Sequence, residues 1–334
     1  MKISYYLIVL CFILLYSSTN AQWTQSGLDG YFVRTINVSG TNLFVGTSGD
    51  GIFHSTNSGT SWTAVNSGLT NLYVNAFTVS GTNLFAGTEG NGVYRSTNNG
   101  ANWSATGTLS TPYIYALAVS GTNIFAGADG DGVFRSTNNG TTWTLVSTGI
   151  TNTRIFALAA FGTNLYAGTF GGGVFLSTNN GTNWTPINVG LTNTSVNTLL
   201  VSDANIFAGT EDGIFLSTNN GSSWTSASFG LTNTFIHALA ISGTNLYAGT
   251  EDGVFHSTNN GANWTAINSG LTNPTIFALT VYGTNLFAGS NGNGVWIRPI
   301  DIVVPVELVS FSASTNGNNV NLNWSTATET NNSG

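Results

Sequence analysis

Charge is the first thing this sequence lacks. Asp, Glu, Lys and Arg together make up 6% of its 334 residues, where an ordinary soluble domain has about 25%. The one lysine is Lys2 and the one cysteine is Cys11. Both fall in an N-terminal stretch that reads as a leader, so the chain after it has neither. Schiff-base chemistry on lysine, thiol nucleophiles, disulfides and cysteine-ligated metals are thereby excluded. Five arginines against 13 acidic residues leave that chain near −8. The basic footprint that nucleic acid or an anionic membrane requires is missing. No stretch beyond the leader is apolar enough to span a bilayer. What is present is apolar: 41% hydrophobic and 12% aromatic residues are enough for a large core rather than a disordered chain.

The leader is residues 1–21. Lys2 is followed by an apolar run from Ile3 to about Tyr16, then by Ser17-Ser18-Thr19-Asn20-Ala21. A charged start, an apolar middle and small residues at the end form a secretory signal peptide. The apolar run is shorter than the ~20 residues of a membrane span. Cleavage after Ala21 leaves Gln22 first, and export to the cell surface or medium is expected.

Internal repetition dominates the remainder. A Gly-Thr-Asn-Leu-Phe-Ala-Gly segment recurs with its Asn at 42, 83, 123, 164, 205, 245 and 285, and tryptophan recurs at 23, 62, 103, 143, 184, 224 and 264. Each copy holds four strand-like runs between turn signals. In one copy these are run A (114–119), run B (123–128), run C (132–136) and run D (from Trp143 to about Val146). No segment carries a 3.6-residue apolar period, so the fold class is all-β.

Four-stranded units of this length build either closed propellers or open solenoids. The termini decide between them. Trp23 sits in a lone run D (22–28), and the last copy has runs A to C (275–297) without a run D. A ring uses that split, because one blade made from both termini closes the circle. The expectation is a seven-bladed β-propeller over residues 22–298. Glycine, 42 residues in all, supplies positive φ in tight turns. Alanines such as Ala116, Ala118, Ala157, Ala238 and Ala240 let inner strands approach, and the tryptophans fill the core between blades.

The turns between runs C and D share the pattern Ser-x-Asn-x-Gly-x-x-Trp, six times, from Ser55 to Trp62 through Ser257 to Trp264. This resembles the Asp-box, or bacterial neuraminidase repeat, with Asn in place of Asp. Propellers with such blades include sialidases, xyloglucan-degrading glycosidases, sortilin receptors and the photosystem II stability/assembly factor group, and the chain is most similar to the last. The resemblance implies a structural role for the box: a short polar side chain satisfies turn N–H groups while Trp packs. A second resemblance lies at 305–334, after a short linker at 299–304. Pro305-Val-Glu-Leu-Val-Ser-Phe-Ser-Ala313 and the alternation Val320, Leu322, Trp324 resemble the opening of a fibronectin-like module in type IX secretion substrates. About 30 residues are too few for a β-sandwich, so the sequence is expected to be a fragment without its sorting signal.

Candidate sites follow from where the repeats differ. At the start of run A one position reads Arg34, Asn75, Tyr115, Phe156, Asn197, His237, Phe277. Two residues earlier it reads Phe32, Tyr73, Tyr113, Arg154, Ser195, Phe235, Thr275. Run A should be innermost, so these positions are expected at the channel mouth. The proposed ligand-binding set is the first series together with Tyr113 and Arg154. Aromatic rings stack on a sugar or peptide while polar tips orient it. The turns between runs B and C carry an acidic rim of Asp50, Glu89, Asp129, Asp131, Glu211, Asp212, Glu251 and Asp252. The rim suits solubility, a weak cation site or docking of a cationic partner. His54 and His256 share a repeat slot with Arg95 and Arg135, which points to solvated surface. No cofactor, metal ligand set or catalytic residue is assigned.

Three functional readings stand: a secreted non-catalytic binding or assembly module for a glycan or protein partner, a glycan-active hydrolase, and a structural surface or adhesion protein. The first accounts for most of the pattern. It carries with it a monomer, no nucleic acid and no transmembrane segment.

Overall fold

The computed structural model describes residues 21–202, 204–300, 308–316 and 319–326. The segment expected to be a leader, up to residue 20, and the ends of the C-terminal segment lie outside them. The chain divides into a unit ending at Pro299 and a second starting at Ile300.

The first unit holds seven four-stranded antiparallel sheets arranged as the blades of a propeller, and the described residues contain no helix. Blade 3 is representative: strand A is Ile114–Ser120, B is Asn123–Ala128, C is Gly132–Ser136 and D is Thr144–Leu145. Strand A alternates between buried and half-buried positions, strand B is buried at five of six, and the two residues of D are exposed. A strand pressed between two neighbouring blades loses both faces to the core, whereas an outermost strand keeps one in water. Ring closure is a strand exchange between termini. Thr24–Gly27 joins the sheet of Ile276–Tyr282, Asn285–Ser290 and Val295–Pro299, pairing Thr24 with Ile297 and Gln25 with Trp296.

Glycine has a second role that turn counting does not reveal. The glycine near the end of each strand B lies where the next blade's first inner-strand residue inserts. A Cβ on Gly168 would stand 2.6 Å from Val196 Cγ1, and one on Gly127 2.5 Å from Ile155 Cγ2. The seam between blade 7 and blade 1 repeats the contact, with Gly289 against Val33 at 2.3 Å. All seven inserting residues, Val33, Val74, Ile114, Ile155, Val196, Ile236 and Ile276, are fully buried. A hole of this depth requires the absence of a side chain.

The tryptophans tie blades together by polar bonds as well as packing. Trp103, Trp184, Trp224, Trp264 and Trp23 are buried, and each indole Nε1 donates to a backbone carbonyl of the preceding blade. Trp184 Nε1 reaches Val146 O at 2.7 Å. Trp62 and Trp143 are only half-buried, so the core-filling role expected of every copy holds for five. In the turns between C and D, Ser136 Oγ accepts from Gly140 N at 2.8 Å, and Asn138 Oδ1 accepts from Thr142 N at 2.9 Å. Asn139 and Gly140 both take positive φ, 55° and 80°. Asn and Gly are the residues that tolerate such a pair.

The histidine expectation is corrected here. His54 stacks on Phe44 with ring centroids 4.5 Å apart, and its Nε2 is buried. His256 stacks on Tyr247, with Nε2 2.9 Å from Asn245 Oδ1. Both belong to packed ring pairs rather than solvated surface, because the aromatic of strand B lies beside this slot. Arg95 and Arg135 brace the next blade, each donating Nη1 to a turn carbonyl, Asn139 O and Asn180 O, at 2.9 Å.

The second unit is described as a hairpin, Leu308–Asn316 paired with Asn319–Thr326. The two strands expected at the C-terminus are present. The turn at 317–318 and the segment after 326 lie outside the described residues.

Candidate functional site

Every inner strand carries a register shift at its start. The shifts fall between Val33 and Thr35, Val74 and Ala76, Ile114 and Ala116, Ile155 and Ala157, Val196 and Thr198, Ile236 and Ala238, and Ile276 and Ala278. The residue skipped is in each case the variable one: Arg34, Asn75, Tyr115, Phe156, Asn197, His237 or Phe277. A β-bulge frees one residue from the ladder and re-aims its side chain, and bulges gather at the rims of barrels and beside active sites. All seven side chains line one cavity of about 420 Å³, joined by Glu89 and Phe235.

In five of the seven blades the approach to the bulge is held by an asparagine that the sequence reading did not single out. Asn152 Oδ1 accepts from Arg154 N at 3.1 Å, while its Nδ2 donates to Phe170 O at 2.7 Å. Asn71 and Asn273 make the same two bonds, to Tyr73 N and Glu89 O and to Thr275 N and Asn291 O. One side chain thus clamps the approach to strand A onto the turn between B and C of the same blade. A recurring Thr-Asn, its Asn three residues before strand A, was the available signal.

Around the ring the lining forms two aromatic arcs separated by amides. Tyr115 and Phe156 meet edge to face at 5.2 Å, and Phe170 continues the arc at 5.4 Å from Phe156. On the other side Phe235, His237 and Phe277 follow one another at 4.8 and 4.6 Å. The Arg34 guanidinium caps that arc, 4.6 Å from the Phe277 centroid, with its Nε donating to Ser48 Oγ at 2.8 Å. Asn75 in blade 2 and Asn197 in blade 5 stand between the arcs. Asn197 Nδ2 donates to Ile236 O, whereas the buried Asn75 Nδ2 and His237 Nε2 have no partner among the described residues. Each such buried group costs about 1–3 kcal/mol.

The electrostatics are sparse. Burial, then the Arg34 charge, lowers the His237 pKa to about 4, so its ring is neutral near pH 7. Burial, then Glu89 and Asp129, raises the Tyr115 phenol against the opposing pull of Arg154 and Arg34. Tyr115 therefore presents a hydroxyl donor.

Two members of the expected set lie elsewhere. Tyr113 is 47% exposed on the rim, as are Tyr73 and Phe32 at the equivalent positions of blades 2 and 1. Arg154 is held by Asp129, Nε to Oδ1 at 2.7 Å, with its guanidinium over Phe170 at 4.6 Å. Both sit two residues before the bulged residue, a position that lines the cavity in blade 6, where it is Phe235. Of the acidic rim only Glu89 lines the cavity. Asp131 accepts from Ser110 Oγ at 2.6 Å, which holds its carboxyl below the usual range. Asp50, Glu211, Asp212, Glu251 and Asp252 occupy the other turns between B and C. No group of three or more His, Cys, Asp or Glu converges for a metal ion among the described residues.

The model of the DUF6242 beta propeller domain matches residues 33–153 and 149–277. The chain belongs to that family. The family's fold is the propeller seen here. No curated protein matches the sequence. Among solved structures, the extracellular domain of the one component system BT4673 from B. thetaiotaomicron superimposes with a TM-score of 0.71 at 18% identity. That match covers 87% of this chain and 41% of BT4673's, so this family member spans less than half of its neighbour. YCF48 from Cyanidioschyzon merolae gives 0.67 at 15% identity, covering 85% of this chain and 100% of its own; a further structure holds YCF48 bound to D1 peptide. The GH74 xyloglucanase of Xanthomonas campestris gives 0.67 at 16% identity, covering 91% and 59%. These likenesses are of fold. No helix among the described residues is long and apolar enough to cross a membrane.

Proposed function

We propose that the protein is an exported, non-catalytic binding or assembly module that takes a glycan or a segment of a protein partner into the mouth of its propeller. The observation that carries this reading is the coincidence of bulge and variability. Seven positions at which near-identical blades differ, one per blade, are the seven that leave the ladder to line one cavity. Scaffold selection has no use for such variety in one ring, whereas a ligand does. The non-catalytic part is supported by the lining, where Glu89 is the carboxylate present and glycoside hydrolysis uses two. The peptide complex of YCF48 and the extracellular setting of BT4673 support a binding role outside the cell.

The test is binding of the purified full chain to glycan and peptide arrays, repeated with Tyr115→Ala and Phe156→Ala. A ligand held at the mouth loses at least tenfold in affinity, about 1.4 kcal/mol, while thermal unfolding stays within a few degrees. Unchanged binding in both variants would place the ligand elsewhere, and release of reducing sugar from a polysaccharide would overturn the non-catalytic part.

A further inference from the structure

We infer that the mouth is selective for an acidic sugar, a uronate residue whose carboxylate sits on Arg34. The inference rests on the binding reading above and names its ligand. Arg34 is fixed from two directions, by the Nε bond to Ser48 Oγ and by the face of Phe277. Its two terminal nitrogens have no hydrogen-bond partner among the described residues. A guanidinium held in plane with its outer edge free is the geometry that receives a carboxylate through two parallel bonds.

The neighbouring groups narrow the ligand further. Arg154 is committed to Asp129, and His237 is uncharged between Phe235 and Phe277. Arg34 is therefore the one free positive charge in the lining among the described residues. A second anion would meet Glu89, which also lines the cavity, so a densely charged phosphate or sulfate ester is disfavoured. Glu89 instead accepts from hydroxyls, as the Tyr115 hydroxyl donates to them. The aromatic arcs offer flat apolar faces to the C–H side of a pyranose. One carboxylate, several hydroxyls and an apolar ring face on a single small body describe a uronate. An aspartate or glutamate side chain supplies the first of these alone. The cavity, about 420 Å³, falls in the range that encloses small ligands.

The experiment is calorimetric titration of the full chain with trigalacturonate, its methyl ester, trigalactose and an acetylated triglutamate peptide. The acid is expected to bind at least tenfold more tightly than the ester or trigalactose. Arg34→Gln removes that advantage, so that acid and ester bind alike in the variant, and Ser48→Ala, which frees the guanidinium, gives an intermediate loss. Tyr115→Ala weakens acid and ester alike. Equal affinities for acid and ester, or an advantage that survives Arg34→Gln, overturn the inference while mouth binding of the ester upholds the broader reading. Tighter, Arg34-dependent binding of the peptide overturns the sugar class and keeps the mouth as the site. Binding of none of the four overturns the inference, and the arrays with Tyr115→Ala then judge the broader reading by themselves.

Discussion

Replacing Trp184 with alanine tests how the blades are held together. Trp184 is 4% exposed and packs among Phe125, Val133, Val146, Ile150 and Ile155, residues of blade 3 or of the inner strand of its own blade. An indole buries about 150–250 Å², a gross gain of roughly 4–6 kcal/mol at ~25 cal/mol per Å². Trp184→Ala also strips the donor from Val146 O, worth about 1 kcal/mol. Partial collapse of the cavity offsets some of this, and core Trp→Ala changes cost about 3–5 kcal/mol. The expected loss is about 4–5 kcal/mol. Trp143 fills the same slot one blade earlier but is half-buried, and its Nε1 bonds Thr106 Oγ1 at 3.1 Å. That hydroxyl keeps Val93 O as a partner when the indole is removed. Trp143→Ala should therefore cost roughly half as much, about 2 kcal/mol. The assay is urea unfolding followed by far-UV circular dichroism, with m-values compared to keep the reference state fixed. Equal losses in the two variants, or a loss below about 2 kcal/mol for Trp184→Ala, would refute the assignment of the indole as the inter-blade bond.

Two further outcomes follow from particular contacts. Gly168→Ala places a methyl 2.6 Å from Val196 Cγ1 and should cost about 1–3 kcal/mol by overpacking; pairing it with Val196→Ala should give less than the sum of the two losses, and simple additivity in urea unfolding would contradict the insertion. His237 has a native pKa of about 4 against 6.5 when free, so the unfolded chain binds the proton first as pH falls. Its contribution is intact above pH 6.5 and is lost toward pH 4, by up to about 3 kcal/mol. His237→Asn should flatten the stability profile in that window relative to the parent, with His54, also lowered by burial, contributing equally to both; parallel profiles would refute the burial of a neutral imidazole.

Much of the architecture was legible in the sequence because repetition multiplies weak signals. One Asn-x-Gly turn says little, whereas six in register with tryptophan at fixed spacing define strands, blade count and the split repeat that closes the ring. The seven lining positions were also visible, as the places where copies disagree. Their bulges were not, because a register shift depends on which backbone groups pair across two strands, and no residue type announces it. Tyr113 and Arg154 could not be separated from Tyr115 and Phe156 either: two residues along a regular strand share a face, a bulge suspends that rule, and partners such as Asp129, which holds Arg154, then decide where the side chain goes. The clamp by Asn71, Asn152 and Asn273 was readable as a repeated Thr-Asn but acquires meaning only when the turn it grips is seen beside it.

By itself, then, the sequence determined the local alphabet of this protein: turns from Asn and Gly, strands from alternating apolar residues, seven copies and a shared last blade. These follow from short-range sterics and from periodicity, which act within a few residues. The tertiary structure decided which glycine is a turn and which is a socket for the next blade, which tryptophan is buried, which arginine is spent on an aspartate and which stays free at the mouth. Those outcomes rest on residues some 40 positions apart meeting across a blade interface, and a distance of that kind is set by the closed ring.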